Sequence, residues 1–586
     1  MENRWVYKQD GESQVVKHLS EELSIGTLLA NLLAQRGVST FEEARYFFRP
    51  LLTHLHDPFL MKDMDKAVDR VLKAIEANEK IMIYGDYDVD GTTAVALVYT
   101  YLKKFFKKRI EFYIPDRYDE GYGISYKGID YAADHGINLV IALDCGIKAV
   151  EKIKYASERK IDFIICDHHR PGDVLPAAVA VLDTKRADCN YPFKELSGAG
   201  VGFKLVSALA EKQGEDFNDL IPLLDMVAVS IAADIVPITG ENRVLAYFGL
   251  RQINTNPRPG FEAVLNYAKV VRREIPDPKT GNVLTRVLTI SDLVFLIGPR
   301  INAAGRIEKA SDSVKLLLSE RMSHAEKLGE AINDMNTERR SLDNQITEEA
   351  LAMIEGDSVL KAAKSTVLYN ENWHKGVIGI VASRLTDNYY RPTIILTRSN
   401  QFITGSARSV KNFDVYDAID HCSDLLEHFG GHKYAAGLSL KPENLKLFQN
   451  KFHNYVHQHI DDELLIPEIE IDLRINFADI TAKFIRILKQ FAPFGPGNMA
   501  PVFISEQVID TGRSRIVGQK HLKLNLMQKT SRSQAVSAIA FQQAHHYERI
   551  RSGEAFSICY HLEENEWQGK VSLQLNVKDI KFEGDD

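Results

Sequence analysis

From Lys80 onward, apolar runs of four or five residues (IMIY, IEFYI, LVIAL, DFIIC and VAVL) alternate with stretches of helical spacing such as Thr92 to Lys107 and Lys148 to Glu158. Strands this short and apolar are buried on both faces, and strands separated by helices of this length pair through crossovers. The pattern predicts a parallel sheet covered on two sides. Ligands of such sheets sit beyond the carboxyl ends of the strands.

The remainder of the chain is organised around that region. Residues 1–69 read as a helical cap, with Asp57-Pro58-Phe59 as a break. Ser323 to Glu355 has no proline, and Leu328, Ile332, Met335, Leu342 and Ile346 recur at helical spacing among charges, which predicts a long solvated helix joining two lobes. A second α/β region follows, with strands at Ser365 to Tyr369 and Thr393 to Leu396 around a helix from Val377 to Asn388. From Pro467, the segments VFISEQVID, HLKLNLMQ, AVSAIAFQ, AFSICYHL and KVSLQLNVKDIKF alternate in the manner of strands and predict a small closed barrel. The expected boundaries are 1–69, 70–310, 311–360, 361–465 and 466–586.

Composition excludes several classes. With 45% hydrophobic and 26% charged residues the chain is globular, and 72 Lys and Arg against 80 Asp and Glu leave a net charge of −8. Any nucleic-acid contact must therefore come from a local basic patch. The five cysteines form no CxxC, so neither a disulfide framework nor a zinc site is signalled. No apolar leader opens the chain and no apolar run reaches about 18 residues, so the expectation is a cytoplasmic protein outside the membrane.

The chemistry is concentrated at predicted strand ends. IMIYGDYDVDG places Asp86, Asp88 and Asp90 at alternate positions after a buried strand, and in an extended segment alternate side chains share a face and can converge on a hard cation. The same aspartates also suit capping of the next helix. Asp144 ends another strand in LVIALDCGI, and Asp167, His168 and His169 end DFIICDHHR. Together they form an oxygen and nitrogen set suited to manganese, magnesium or zinc. Asp234 lies in or after an apolar helix, where an unpartnered carboxylate is costly and a metal removes the cost.

GDYDVDG, LDCGI, DHH and AADIVP occur in the order and spacing of the DHH phosphoesterase superfamily. PRINAAGR (299–306), GSARS (405–409), FGGHKYAAG (429–437) and FGPGN (494–498) narrow the resemblance to the RecJ family of bacterial single-stranded-DNA exonucleases, from Lys80 to the C-terminus. The resemblance implies an α/β architecture: a parallel-sheet DHH lobe, a long helix, a smaller α/β DHHA1 lobe and a C-terminal β-barrel of the OB-fold type. It also implies two catalytic ions, Mn2+ or Mg2+. By position, Asp88, Asp90, Asp144, His168 and Asp234 become ligands with Asp86 in the second ion's shell, and His169 contacts the scissile phosphate, acting with Asp144 and Asp88 in catalysis. Tyr84 stands where the pyrophosphatase branch of the superfamily has a histidine ligand, a place Asp86 can fill. The single imidazole among carboxylates biases such a site toward manganese.

For substrate, the resemblance implies that Arg117, Tyr122, Arg306, Ser406 and Arg408, with His432 of FGGHKYAAG, hold the 5′ end of DNA. Arg513, Arg515, Lys520, Lys523, Lys529 and Arg532 fall in a stretch, Thr511 to Ser533, that has no acidic residue, and they offer a single-strand track on the barrel. The function implied is a metal-dependent 5′→3′ exonuclease on single-stranded DNA in recombination and repair, a monomer meeting helicase and single-strand-binding protein. The alternatives are another DHH phosphodiesterase acting on short oligonucleotides and a non-catalytic single-strand-binding scaffold.

Overall fold

Five strands, β1 (Ile81–Gly85), β2 (Ile110–Tyr113), β3 (Leu139–Leu143), β4 (Asp162–Cys166) and β5 (Ala180–Leu182), pair in the order β2-β1-β3-β4-β5, every pair parallel. Alternate residues feed two cores. Ile81, Ile83, Leu139, Ile141 and Leu143 face one, and Met82, Tyr84, Val140, Ala142 and Ile165 face the other. This two-sided burial is why the strands read as continuous apolar runs. The chain leaves β1 toward β2 on one side and returns to β3 on the other, so the β1 and β3 ends form the topological switch point where ligands bind. In this computed structural model residues 3–270, 272, 274–277, 281–284, 286–529, 535–567 and 570–584 are described.

One face of the sheet is covered by α1 (Val89–Phe106), which packs against α2 (Gly198–Lys212) and α3 (Leu224–Ala233). The long helix α4 (Met322–Glu355) runs 34 residues. It buries Ala325, Ile332 and Met335 in the catalytic core and Ile346, Ala350 and Ile354 beside the second lobe. That lobe contains helix α5 (Ile378–Tyr389) and strands β6 (Thr366–Tyr369), β7 (Thr393–Ser399), β8 (Phe402–Arg408), β9 (Leu426–His432) and β10 (Ala435–Leu440). They pair in the order β9-β10-β8-β7-β6, with only β6 and β7 parallel.

The chain divides into two compact units, Leu52–Leu465 and the combination of Met1–Leu51 with Ile466–Asp586. The segment expected as one cap over 1–69 is thus split between them. Leu29, Leu32 and Leu33 are buried with Phe491, Phe503 and Tyr560 of the C-terminal region, and Arg4–Tyr7 pairs with Glu468–Ile471 as a parallel strand where helix was expected. Met64, Ala67, Val68 and Val71 of the helix Met64–Glu76 are buried in the catalytic core instead. An apolar stripe shows that a helix packs, but it does not name the partner.

In the second unit β11 (Leu473–Arg474), β12 (Phe503–Asp510), β13 (Arg515–Val517), β14 (His521–Gln528), β15 (Val536–Ala540), β16 (Phe556–Trp567) and β17 (Lys570–Phe582) form one sheet. Its order is β11-β12-β16-β17-β15-β14-β13, and β12 also pairs with β14. The five expected strands therefore close into a barrel, which leaves no long open edge. Among the described residues, no helix is long and apolar enough to cross a membrane.

Candidate active site

The acidic segment after β1 is not extended as its alternation predicts. Asp86 follows the strand, Asp88 caps α1 by accepting from the Gly91 N–H at 3.0 Å, and Asp90 lies in the first helical turn. The metal-ligand and helix-cap readings of this motif thus fall on different residues. Asp90 is fixed most firmly. Its two carboxylate oxygens accept from the N–H groups of Gly198 (2.7 Å) and Ala199 (2.8 Å) at the start of α2, and from the Ser230 hydroxyl of α3 at 2.7 Å. A helix N-terminus favours negative charge there. At Gly198, a Cβ would lie 2.6 Å from the Asp144 Cβ, so glycine is what lets α2 start against β3.

His168 is the hub. Its Nε2 stands 3.1 Å from Asp144 Oδ1, 3.6 Å from Asp90 Oδ2 and 3.6 Å from Asp234 Oδ2. Asp234 is the C-cap of α3. Asp90, His168 and Asp234 can share one cation, and Asp144, His168 and His169 another. Asp86 and Asp88 belong to neither trio. They reach the cluster through its field: burial and then the neighbouring carboxylates raise Asp86, Asp88 and Asp144, and Asp234 is pushed up to about 8. Burial also depresses His168.

These residues fit a divalent ion. Asp144 Oδ1, Asp86 Oδ2 and both ring nitrogens of His168 are buried with no hydrogen-bond partner, which is costly unless something else satisfies them. In the Asp90, His168 and Asp234 trio, two carboxylates with one imidazole are the oxygen-rich set such cations prefer, whereas His169 of the other trio is already engaged by Asp167.

Asp167 is spent differently. It accepts from the backbone N–H groups of His168 (2.8 Å), His169 (3.2 Å) and Ile147 (2.9 Å), and its Oδ1 is 2.8 Å from His169 Nδ1. Burial opposes charge on His169, but the Asp167 bond outweighs it and lifts the imidazole to about 9. The Tyr122 hydroxyl donates to the Asp144 carbonyl at 3.1 Å, and its ring lies 5.9 Å from that of His169. Beside them a cavity of 360 Å3 is lined by Tyr122, Lys148, Lys152, His169, Arg170 and His432. Tyr84 does not face the cluster. It is buried, donating to the Gly123 carbonyl at 2.9 Å and accepting from the Ser125 N–H at 3.1 Å.

A second group is cationic. Arg117 lies over the Tyr87 ring at 4.9 Å, Arg306 Nη1 donates to the Gly376 carbonyl at 2.9 Å, and Arg408 Nη1 donates to the Ser406 hydroxyl at 3.0 Å. Burial first, and then one another's charge, lower Arg306, to about 10, and Arg408. Among the described residues none of the three arginines forms an ion pair. The charges of Asp86, Asp88, Arg117 and Arg306 all act on Tyr87, which places the acidic and basic groups side by side. Sequence reasoning missed the loop that joins them. A Cβ at Gly376 would sit 2.6 Å from the Arg306 carbonyl, and one at Gly379 would sit 3.2 Å from Arg408 Nη2, at the start of α5. The signal was present as HKGVIG, a glycine-rich entry to a helix.

On the barrel Arg513, Arg515 and Lys520 are exposed and Lys523 is half-buried. Arg515 is directly opposite Lys523 in the β13–β14 pair, and none of the four has an ion-pair partner among the described residues. Arg532 lies outside the described residues. Phe541, 55% exposed, meets the His521 ring at 5.3 Å. The alternation of AVSAIAFQ places this aromatic on the outer face, a signal the sequence reading left unused.

Three comparisons bear on this arrangement. Residues 80–231 match the DHH family N-terminal domain, 362–458 the DHHA1 domain and 471–579 the RecJ OB domain. The single-stranded-DNA-specific exonuclease RecJ of Bacillus subtilis (strain 168) is 36% identical over 98% of this chain and 70% of its own length. The protein of the same name from Escherichia coli (strain K12) is 32% identical over 94% of this chain and 95% of its own length. The crystal structure of RecJ in complex with Mn2+ from Thermus thermophilus has the same fold, with a TM-score of 0.81 at 24% identity over 99% of this chain and 80% of that one. The motifs, both lobes, the barrel and these near-full-length matches agree that the chain belongs to the RecJ family.

Proposed function

We propose that the chain is a metal-dependent exonuclease that degrades single-stranded DNA from its 5′ end to mononucleotides. The observation that carries this reading is the un-neutralised set Arg117, Arg306 and Arg408 beside the buried acidic cluster. A terminal phosphate anchored by the arginines leaves the next phosphodiester to the acidic centre, an arrangement that measures from an end. Asp90, Asp144, His168 and Asp234, with Asp86 and Asp88 beside them, would hold Mn2+ or Mg2+, which when bound supply Lewis-acid stabilisation at phosphorus oxygens and activation of water. His169, its ring held by Asp167, is placed to contact a phosphoryl oxygen. Tyr122 positions His169 and the Asp144 backbone. No side-chain nucleophile is required.

On the barrel, Arg513, Arg515, Lys520 and Lys523 supply sequence-independent phosphate contacts, with Phe541 a stacking surface for a base. The same reading extends to a cytoplasmic monomer, in keeping with five unpaired buried cysteines, acting on strands prepared by a helicase or single-strand-binding protein.

The test is degradation of linear single-stranded DNA labelled at either end, with Mn2+ and with chelator. The expected result is immediate release of the 5′ label, metal-dependent, with circular strands and blunt duplexes resistant. Cutting of circles, or first release of the 3′ label, would overturn the reading.

A further inference from the structure

Backbone in the left-handed region carries a cost that grows with branching at Cβ, which is why the residue after a helix C-cap is so often glycine or asparagine. Among the described non-glycine residues with positive φ, Ile235, at 59°, is the only β-branched one. It follows Asp234, the C-cap of α3. Strain of this kind is commonly sustained by packing of the side chain in the core. Here packing gives no such return: Ile235 is 65% exposed, whereas Val236 and Ile238 just after it are buried. Neither backbone preference nor burial explains an isoleucine at this place, and strained residues cluster where a site needs them.

The place is specific. The Asp234 carboxylate is 3.6 Å from His168 Nε2, so an exposed apolar side chain is held one residue from the acidic centre. The groups around that centre (Asp86, Asp88, Asp90, Asp144, His168, His169 and the three arginines) are suited to phosphate and cation. Tyr122, 51% exposed, offers a ring on the His169 side of the cluster, and Ile235 offers the apolar side chain next to Asp234. We propose that Ile235 contacts the base of the nucleotide at the acidic centre and so positions the phosphodiester for cleavage. This rests on the exonuclease reading above.

The experiment uses the full chain with Mn2+ and the variants Ile235→Gly, Ile235→Asn and Ile235→Val. Melting temperature is measured, and kcat/KM is determined on a 5′-phosphorylated single strand and on the same strand with abasic sites at its 5′ end. The Gly and Asn variants, which suit the left-handed backbone, are expected to melt no lower than wild type. On the normal strand their kcat/KM should fall about ten-fold, the scale of one lost apolar contact, and on the abasic strand it should change less than two-fold. Ile235→Val should stay within about two-fold on both. Unchanged kcat/KM of the Gly and Asn variants on the normal strand would overturn the proposal, as would equal losses on both strands, which would mean that Asp234 had moved. A wild-type chain inert on single strands would overturn the exonuclease reading together with this one. An active wild type with indifferent variants would overturn this one alone.

Discussion

In the catalytic lobe, Asp86, Asp88, Asp144 and Asp234 are crowded at the ends of a buried sheet, where desolvation and mutual repulsion drive each toward its neutral form. On the barrel, Arg515 and Lys523 also face a like charge, but in contact with water, which screens it. The first arrangement is stable only with a compact, highly charged partner at a fixed point. The second suits a polyanion that slides, because no single phosphate must occupy a single place. On the proposed reading, one region does chemistry at a point and the other supplies affinity along a line, and substitutions should separate the two.

The largest effect is expected at Asp144. Its φ is 59°, so asparagine, which tolerates the left-handed region, is a better probe than alanine. Asp144→Asn should lower turnover at least about 10^3-fold, on the scale of losing a central charge in a preorganised site, with the affinity for single strands within two-fold of wild type. Paired measurements of cleavage and of binding in chelator check this. A parallel loss of binding would break the division between the two regions.

Next comes the barrel. Replacing Arg513, Arg515, Lys520 and Lys523 together by glutamine should flatten the salt dependence of binding by up to about 0.7 in log–log slope per lost phosphate contact, and weaken binding to long strands accordingly. Hydrolysis of very short oligonucleotides should hold. Since Arg515 and Lys523 repel across their strand pair, the variant should be no less stable than wild type. Equal loss on long and short substrates would show that the barrel serves the chemistry directly.

The two regions also differed in how they could be read. The sheet was legible because burial on both faces leaves unbroken apolar runs, and the barrel because its strands alternate. Asp144 and His168 were legible because strand ends in a parallel sheet are where ligands go. The grouping of Asp86, Asp88 and Asp90 on one extended face did not survive, because α1 begins at Val89 and turns Asp90 toward α2. Gly198, Ser230 and the role of Asp167 were not legible, since each depends on contacts between segments far apart in sequence or on which hydrogen bonds a carboxylate has already made. The attachment of residues 1–51 to the barrel unit is a long-range contact of the same kind.

A smaller effect is expected at Arg408. Its guanidinium is held by Ser406, Ser383 and the Ala407 carbonyl, and so is set in place before substrate arrives. Charge-assisted bonds to a phosphate contribute about 1.5–3 kcal/mol. Arg408→Ala should therefore reduce the preference for a 5′-phosphate over a 5′-hydroxyl strand by roughly ten-fold, read as the ratio of initial rates. An unchanged ratio would move the end-recognition role to Arg117 and Arg306.

The smallest expected effect is at Tyr84, and it asks whether the acidic centre depends on a support that touches none of its carboxylates. The Tyr84 ring is buried and stacked on Tyr113, with centroids 5.4 Å apart. Its hydroxyl ties down Gly123 and Ser125. The same loop carries Tyr122, which reaches the Asp144 carbonyl, and the Gly123 N–H, 3.4 Å from Asp86 Oδ1. Tyr84→Phe keeps the ring and its packing but leaves a buried carbonyl and a buried N–H without partners, a cost of roughly 1–3 kcal/mol. Melting should fall by a few degrees, on the order of 2–4 °C for each kcal/mol. If the loop positions Tyr122 and Asp86, kcat should drop about three-fold while KM for long strands, set largely by the barrel, stays the same. A lower melting temperature with unchanged kcat would make Tyr84 a packing residue alone, and a rise in KM without change in kcat would show that the loop belongs to the holding region rather than to the cutting one.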